Sequence, residues 1–172
     1  MSTSSKTPLL TLILASASFL FMMGGCKDAC EKAKVSCAIG GEAKVWKEDH
    51  CICDCRTGYE GEFCKQVVRN KYIGTYTGSY SCLTGDNEDY KVEIEYNENG
   101  IIWVNIKNLY NKGFAAYASV DSIGNLRIPS QPYGRGRIHG TATTDGQNLT
   151  VDFAVTSEGG KTDDCQGNFG KE

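Results

Sequence analysis

Cysteine is the residue type with the most chemistry to offer in this sequence. The chain contains nine cysteines but only two histidines among its 172 residues, so histidine-based acid–base and metal chemistries have few candidates. Cysteines at this density either bind metal or form disulfides, and disulfides persist in oxidising compartments outside the cytosol. The sequence therefore predicts an exported protein that disulfide bonds stabilise.

Zinc is the alternative partner for the clustered thiols, because His50 is followed by Cys51, Cys53 and Cys55. Structural zinc sites favour cysteine pairs with roughly two to four residues between them. Cysteines at every second position of a strand instead place their thiols on one face. We therefore favour disulfides over a metal cluster and expect no cofactor.

An apolar segment precedes the first cysteine. Leu9–Met23 has about 15 residues, fewer than the roughly 20 that a membrane-spanning helix needs, and it follows a short polar stretch with one positive charge, as in a signal peptide. Met23-Gly24-Gly25-Cys26 resembles the lipobox of bacterial lipoproteins. The resemblance implies a signal peptide at 1–25, a lipidated N-terminus at 26–29 and a membrane anchor on Cys26. An ordinary secretory cleavage, with Cys26 as one more disulfide partner, is the alternative.

The segment from Cys53 to Cys64 is similar to the C-terminal half of epidermal growth factor-like modules. It has two cysteines around a single residue, then eight residues, then a third cysteine, with Gly58, Tyr59 and Gly61 at the expected positions. The resemblance implies a disulfide-rich module over 30–64 with three bonds: Cys30–Cys51, Cys37–Cys53 and Cys55–Cys64. From the residues alone, six cysteines permit 15 connectivities, and the long insertion here lies between the second and third cysteines rather than between the third and fourth.

The residues beyond a linker at 65–70 form a second unit, 71–172, in which apolar and polar residues alternate. Turn residues recur every roughly 8–12 positions, which predicts short antiparallel strands. The predicted strands are 71–82, 89–97, 101–108, 114–121, 125–128, 137–143, 149–156 and 164–169. About eight such strands form either a closed up-and-down barrel or a two-sheet sandwich.

Two features of the first and last strands favour closure. Tyr72, Gly74, Tyr76, Gly78 and Tyr80 share one face of the first strand, where glycine permits sharp coiling and tyrosine covers the backbone. In addition, Cys82 ends the first strand and Cys165 opens the last. In a closed meander these strands are neighbours, so the two cysteines are expected to form a disulfide.

Gly74-Thr75-Tyr76 resembles the G-x-W entry of lipocalin-like barrels, with tyrosine in place of tryptophan. Together with the lipobox and the growth factor-like module, the chain resembles outer-membrane lipoproteins of the Bacteroidota, and Lys27-Asp28 is similar to their surface-export tags. The resemblance implies a mainly β protein with a small disulfide module and a lipocalin-like barrel domain. It also implies a lipid-anchored location at the outer membrane of the cell envelope, facing either the cell surface or the periplasm.

Apolar residues on one face of the predicted strands form the expected core. They are Val92, Ile94, Tyr96, Ile102, Val104, Ile106, Leu126, Ile128, Ile138, Leu149, Val151, Phe153 and Val155. Short strands enclose little volume, so these side chains are expected to fill the interior. If a ligand cavity forms instead, Tyr76, Tyr80, Trp103 and Tyr117 are its candidate lining.

Three further groups of residues have alternative interpretations. Asp86, Glu88, Asp89, Asp163 and Asp164 flank Cys82 and Cys165, and they either form a solvated rim or hold calcium through their carboxylates. Asp121-Ser122-Ile123 resembles the acceptor pattern of O-glycosylated Bacteroidota exports, which makes Ser122 a candidate glycosylation site. His139 follows the apolar Ile138 and is expected to face solvent.

The composition excludes several functions. The chain has a formal net charge of −3, which does not suit nucleic acid, and it has no nucleophile elbow, metalloprotease helix or phosphate-binding loop. We therefore expect a non-enzymatic, lipid-anchored envelope protein for recognition or adhesion, with a protein, a glycan or a small hydrophobic ligand as its unidentified partner. The alternative is a carrier with a small hydrophobic molecule inside the barrel.

Overall fold

The computed structural model describes residues 29–47, 50–86 and 88–172. The N-terminal module, residues 29–64, begins with the short helix α1, Ala29–Ala33. A hairpin follows, formed by β1, Gly41–Trp46, and β2, His50–Cys55. A second small sheet pairs β3, Tyr59–Glu60, with β4, Gln66–Val67.

Disulfide bonds hold this module together. The bonds are Cys30–Cys51, Cys37–Cys53 and Cys55–Cys64, which confirms the predicted pairing. Cysteine at every second position of β2 directs three thiols to one face of the hairpin, where they bond to α1, to the loop before β1 and to the turn after β3. The buried apolar residues described in this module are Cys30 and Cys64, so crosslinks replace an apolar core.

A single turn of 3₁₀-helix, Val68–Lys71, joins the module to the barrel. Val68 is buried, and its N–H donates to the carbonyl of Gly58 at 2.9 Å. Lys71 forms an ion pair with Glu60 at 3.2 Å. The linker is therefore packed against both parts of the chain.

The remaining chain forms a closed antiparallel barrel of eight strands, together with one short edge strand. The barrel strands are β5, Gly74–Cys82; β7, Tyr90–Tyr96; β8, Trp103–Lys107; β9, Ala115–Val120; β10, Leu126–Tyr133; β11, Gly136–Thr144; β12, Asn148–Thr156; and β13, Thr162–Lys171. The short strand β6, Gly85–Asp86, pairs with the end of β5. Closure, which the sequence favoured over an open sandwich, is confirmed because β13 pairs with β5.

The seam between β5 and β13 has two local features that permit closure. Cys82 lies opposite Cys165 in the register, and the two form a disulfide. Further along the seam, a Cβ atom at Gly78 would lie 2.1 Å from the carbonyl oxygen of Asn168 and 2.7 Å from the Cα of Phe169. Glycine therefore lets the first and last strands approach more closely than any side chain would permit.

The hydrophobic core fills the barrel interior, and most of the predicted core residues are buried there. Ile102 and Val155 are only partly buried. Tyr96 was predicted wrongly, because its side chain is 54% exposed at the end of β7, where its ring lies 4.8 Å from the Arg69 guanidinium. Several further residues are buried in the barrel but were not part of the predicted core: Tyr72, Tyr76, Tyr80, Leu109, Ala116, Ala118, Val120, Tyr133, Ala142 and Phe169.

Strand β10 is twice as long as the predicted 125–128, because its alternation is interrupted. The register shifts between Ile128 and Gln131, and Pro129 and Pro132 lie within the strand. A β-bulge accommodates proline in a strand, but it breaks the period-two pattern on which the prediction depended.

Candidate binding surface

Two of the tyrosines predicted to line a cavity, Tyr76 and Tyr80, are buried contacts of the barrel interior. Tyr76 is fully buried, and its hydroxyl donates to the carbonyl of Tyr72 at 2.8 Å. The Tyr80 ring stacks on Tyr110 with 5.1 Å between centroids and meets the edge of Phe153 at 5.7 Å. These rings occupy the space that a ligand inside the barrel would need.

Chain segments cover both ends of the barrel. At the end near the Cys82–Cys165 bond, the loop after β8 buries Leu109, and the Tyr90 hydroxyl donates to the Leu109 carbonyl. At the opposite end, beside the linker, the hydroxyl of the fully buried Tyr72 donates to the carbonyl of Gly124 at 2.9 Å.

Burial changes the ionisation of the interior tyrosines. It is the main reason that the pKa of Tyr80 rises to about 12, with smaller contributions from Tyr110 and Asp163. Burial also raises the pKa of Tyr72, Tyr90 and Tyr133. These hydroxyls therefore remain neutral hydrogen-bond donors at physiological pH.

The two acidic residues before the disulfide cysteine of β13 lie on opposite faces of that strand. Asp163 is 8% exposed and faces inward, whereas Asp164 is exposed on the outer face of β13. The Asp163 carboxylate accepts hydrogen bonds from the Thr84 N–H at 3.1 Å, the Thr84 hydroxyl at 2.5 Å and the Tyr110 hydroxyl at 3.1 Å. Burial opposes its ionisation, but these bonds outweigh burial and lower its pKa.

The other acidic candidates for calcium lie between β5 and β7. Glu88 and Asp89 are exposed, and the side chain of Asp86 lies outside the described residues. The sulfur atoms of Cys82 and Cys165 lie within 4.8 Å of an Asp163 carboxylate oxygen, but both belong to a disulfide and a metal ligand must be a thiolate. The acidic residues are therefore interpreted as one buried hydrogen-bond acceptor and a solvated rim.

A concave groove lies on the outer face of the barrel, over strands β8 and β9. Its volume is about 260 Å³. Trp103 and Tyr117 form its aromatic part, with 5.9 Å between ring centroids and 60° between ring planes. The rest of the lining is neutral and small: Asn97, Asn99, Asn105, Ala115 and Ala116. We call this feature the Trp103 groove.

Strand alternation explains why the aromatic pair faces outward. Val104 and Ala118 are fully buried, so their sequence neighbours Trp103 and Tyr117 point to the opposite face. Tyr117 is 42% exposed. The prediction that Trp103 and Tyr117 share one lining with Tyr76 and Tyr80 is therefore wrong, because two of the four lie outside the barrel.

Asparagine side chains form a hydrogen-bonded border to the groove. The Asn97 Nδ2 donates to Asn105 Oδ1 at 2.7 Å, and Asn97 Oδ1 accepts from the Asn99 N–H at 2.9 Å. Asn105 uses its oxygen in this way, which leaves its NH₂ group as the part of this lining amide that can donate to a ligand. Amide groups that are held in this manner can bind a ligand without losing much rotational freedom.

Two other side chains fix the backbone below the groove. Gln131 is buried, accepts from the Tyr117 N–H at 2.9 Å and donates to the Tyr117 carbonyl at 2.7 Å. It replaces the main-chain ladder, which pairs β9 with β10 only at Leu126 and Arg127. Arg69 donates to the carbonyls of the β7–β8 turn, including Gly100 at 2.7 Å and Trp103 at 3.2 Å.

Charged residues next to the groove are paired with one another and together keep one negative charge. Lys107 forms ion pairs with Glu95 at 2.5 Å and Glu93 at 3.5 Å.

His139 is exposed, as expected, on the outer face of β11.

Ser122 is exposed in the turn between β9 and β10. The carboxylate of Asp121 holds this turn by accepting from the N–H groups of Ile123 at 3.0 Å and Asn125 at 2.9 Å. A surface depression at this point is shared with residues 55–60 of the N-terminal module. Ser122 thus lies where the module meets the barrel, and its glycosylation stays a prediction.

The predicted lipid site, Cys26, lies outside the described residues, as do Lys27 and Asp28. Among the residues that the structure describes, no helix combines the length and the apolar character needed to cross a bilayer.

Comparison with known proteins gives distant structural similarity only. No protein-family model matches the chain, and no curated protein is significantly similar to it. A redesigned β-barrel superposes with a TM-score of 0.43 and 11% identity, over 61% of this chain and 95% of the designed one. A crystal structure of a protein of unknown function from Bacteroides ovatus superposes with a TM-score of 0.41 and 9% identity, over 71% of this chain and 56% of that one.

The Trp103 groove was not predicted from the sequence, although the alternation of residues in β8 contained part of the information. The inward positions of β8 were assigned to Val104 and Ile106, which already required Trp103 and Asn105 to face outward. No local pattern indicated that Tyr117 and Asn97 would lie beside them, because those contacts depend on the strand register.

Proposed function

We propose that this protein is a non-enzymatic recognition protein of the bacterial cell envelope, anchored by lipid at Cys26. One observation carries the recognition role: the clustered aromatic and amide side chains lie on the outside of the barrel, while tyrosines occupy the interior. A groove on the outer face can bind a ligand that belongs to another molecule or surface, whereas a carrier needs an internal cavity that encloses its ligand.

The N-terminal module supports the proposed anchoring role. The lipobox cysteine, Cys26, lies four positions before Cys30, so an extended chain would span at most about 14 Å between them. A lipid on Cys26 would therefore keep the module close to the membrane. We propose that this module is the epidermal growth factor-like spacer indicated by the sequence, and that it carries the lipocalin-like barrel away from the surface.

Labelling with palmitate tests the anchor. When the full chain is produced in a bacterium of the Bacteroidota, we expect labelled palmitate on the wild-type protein and its recovery with membranes. Cys26→Ser should remove both. The matched control is Ser36→Ala, an exposed position in the same module, which leaves the lipobox and all cysteines intact and should retain the label. An unlabelled wild-type protein would refute the anchor.

Hydrophobic probes distinguish recognition from transport. We expect purified wild-type protein to show no saturable binding of palmitate, haem or anilinonaphthalene sulfonate at micromolar concentration, because the barrel interior is occupied by its own side chains. Saturable binding of one of these probes that Tyr80→Ala changes, and that Trp103→Ala does not change, would favour the carrier and contradict our proposal.

A further inference from the structure

We propose that the Trp103 groove binds a neutral saccharide. The inference rests on the proposed recognition function, because it names the class of ligand that the outward groove would take. Three properties of the groove lead to it: the aromatic walls, the amide border and the lack of charge in its lining.

The aromatic walls suit the apolar faces of a sugar ring. The C–H groups on one face of a pyranose are slightly positive, and they pack on the negative face of an aromatic ring. Trp103 is half-buried and therefore held in place, while Tyr117 is 42% exposed. With 60° between their planes and 5.9 Å between their centroids, the two rings form a corner rather than a flat platform. Such a corner contacts a ring on a face and on an edge.

The amide border suits the hydroxyl groups of a sugar. A hydroxyl both donates and accepts, and an asparagine side chain offers both functions on adjacent atoms. The Asn97–Asn105 hydrogen bond of 2.7 Å fixes the orientation of both amides, which leaves the Asn105 NH₂ available as a donor. Ala115 lines the groove and is exposed, and its small side chain leaves room for a ring.

The charge distribution favours a neutral ligand. All seven lining residues are uncharged, and the adjacent carboxylates of Glu93 and Glu95 are paired with Lys107. A phosphorylated or sulfated ligand would find no cation in the lining to pair with, and its desolvation would be uncompensated. A purely apolar ligand would leave the amides without partners, which also costs free energy.

The groove is also preorganised for binding in the free protein. Gln131 holds the backbone of Tyr117 by two hydrogen bonds, and Arg69 holds the turn that carries Asn97 and Trp103. Because these supports are present in the free protein, little conformational entropy is lost on binding.

Tryptophan fluorescence provides a direct test. The chain has two tryptophans, Trp46 and Trp103, so the variant Trp46→Phe assigns the emission to Trp103. This protein is titrated with linear neutral oligosaccharides of glucose, mannose, galactose and xylose up to millimolar concentration. We expect a saturable change in emission with at least one of them, and weaker binding of sulfated or sialylated counterparts.

Calorimetry with two groove variants and one control completes the test. Trp103→Ala and Asn105→Leu should each weaken binding by about tenfold or more, because each removes one class of contact. Trp46→Ala is the matched control: Trp46 is 55% exposed on the β1–β2 hairpin, and its removal should leave the affinity unchanged. Near-ultraviolet circular dichroism establishes that each variant is folded, and Asn105→Leu serves if Trp103→Ala is not.

Failure of this inference can be told apart from failure of the proposed function. If no oligosaccharide of the panel binds, or if both groove variants bind as well as the wild type, the saccharide assignment is overturned. Palmitate labelling and exclusion of hydrophobic probes would still support an envelope recognition protein in that case. Conversely, sugar binding by an unlabelled protein would retain the groove and refute the anchor.

Discussion

Removing the disulfide between the first and last barrel strands should cost a large part of the stability of the barrel. The Cys82–Cys165 bond closes a loop across 83 residues of sequence. In the chain-entropy model, a crosslink of this length lowers the entropy of the unfolded state enough to stabilise the folded state by about 4.5 kcal/mol. We therefore expect the pair Cys82→Ala and Cys165→Ala to lower the free energy of unfolding by up to about that amount.

Urea denaturation followed by Trp103 emission measures this loss. The background variant Trp46→Phe confines the signal to the barrel, since Trp103 lies on β8. The unfolded state expands when the crosslink is removed, so the m-value should rise, and free energies extrapolated to water must be compared rather than midpoints. Gln166→Ala is the control, because Gln166 is adjacent to Cys165 but exposed, and we expect a change within about 0.5 kcal/mol.

A loss of unfolding free energy below about 1 kcal/mol would refute the reasoning, because it would be less than about a quarter of the value that the chain-entropy model gives. That result would mean that the hydrogen bonds along the β5–β13 seam keep the ends of the chain together even in the unfolded ensemble. Complete unfolding of the variant in buffer would agree with the reasoning if the wild-type barrel is stable by less than the expected loss.

Three further substitutions test other parts of the barrel. Gly78→Ala should destabilise the barrel by about 1–3 kcal/mol, because its Cβ would overlap the backbone of β13. Gly170→Ala is the control in the same urea assay, because Gly170 lies in the same seam and a Cβ there would meet only the Thr77 carbonyl oxygen, at 3.9 Å. Gln131→Leu should lower the free energy of unfolding by about 1–3 kcal/mol, because it leaves the Tyr117 N–H and carbonyl without their partner. It should also loosen the part of the Trp103 groove that Tyr117 forms. The pKa of Asp163 is lowered in the folded state, so its contribution to stability is present above pH 3.8, the ordinary value, and is lost as the pH falls through its folded value. Asp163→Asn should therefore flatten the acid side of the stability curve.

Each of these expectations has a clear contrary result. A melting temperature for Gly78→Ala equal to that of the wild type would show that the seam can widen. An unchanged hydrogen-exchange rate at the Tyr117 amide in Gln131→Leu would contradict the bridging role of Gln131. Parallel stability curves for Asp163→Asn and the wild type below pH 5 would mean that Asp163 does not contribute to acid unfolding.

Local patterns in the sequence were sufficient for most of the barrel strands and for the Cys82–Cys165 bond. Alternation in β7, β8, β11 and β12 predicted their extents closely, because a strand with one buried face needs a period of two in its side chains. The pairing of Cys82 with Cys165 followed from placing these cysteines at the ends of neighbouring strands.

Local patterns failed where the backbone departs from regular alternation. The bulge after Ile128 hid half of β10, and the buried Gln131 was absent from the predicted core. Tyr96 has the residue type and position of a core residue, but the strand ends there and Arg69 covers its ring. Aromatic character alone also grouped Trp103 and Tyr117 with the interior tyrosines.

By itself, the sequence determined that the chain is crosslinked and mainly β, and it favoured a barrel closed by its first and last strands. These properties depend on residue spacing along one segment or on the order of segments. Only the tertiary structure decided which side chains share a surface. Trp103, Asn105 and Tyr117 are neighbours because β7, β8 and β9 pair in one register, and a shift of one residue would have placed them on the opposite face. Side-chain neighbours across strands are set by register and closure, which no single segment encodes.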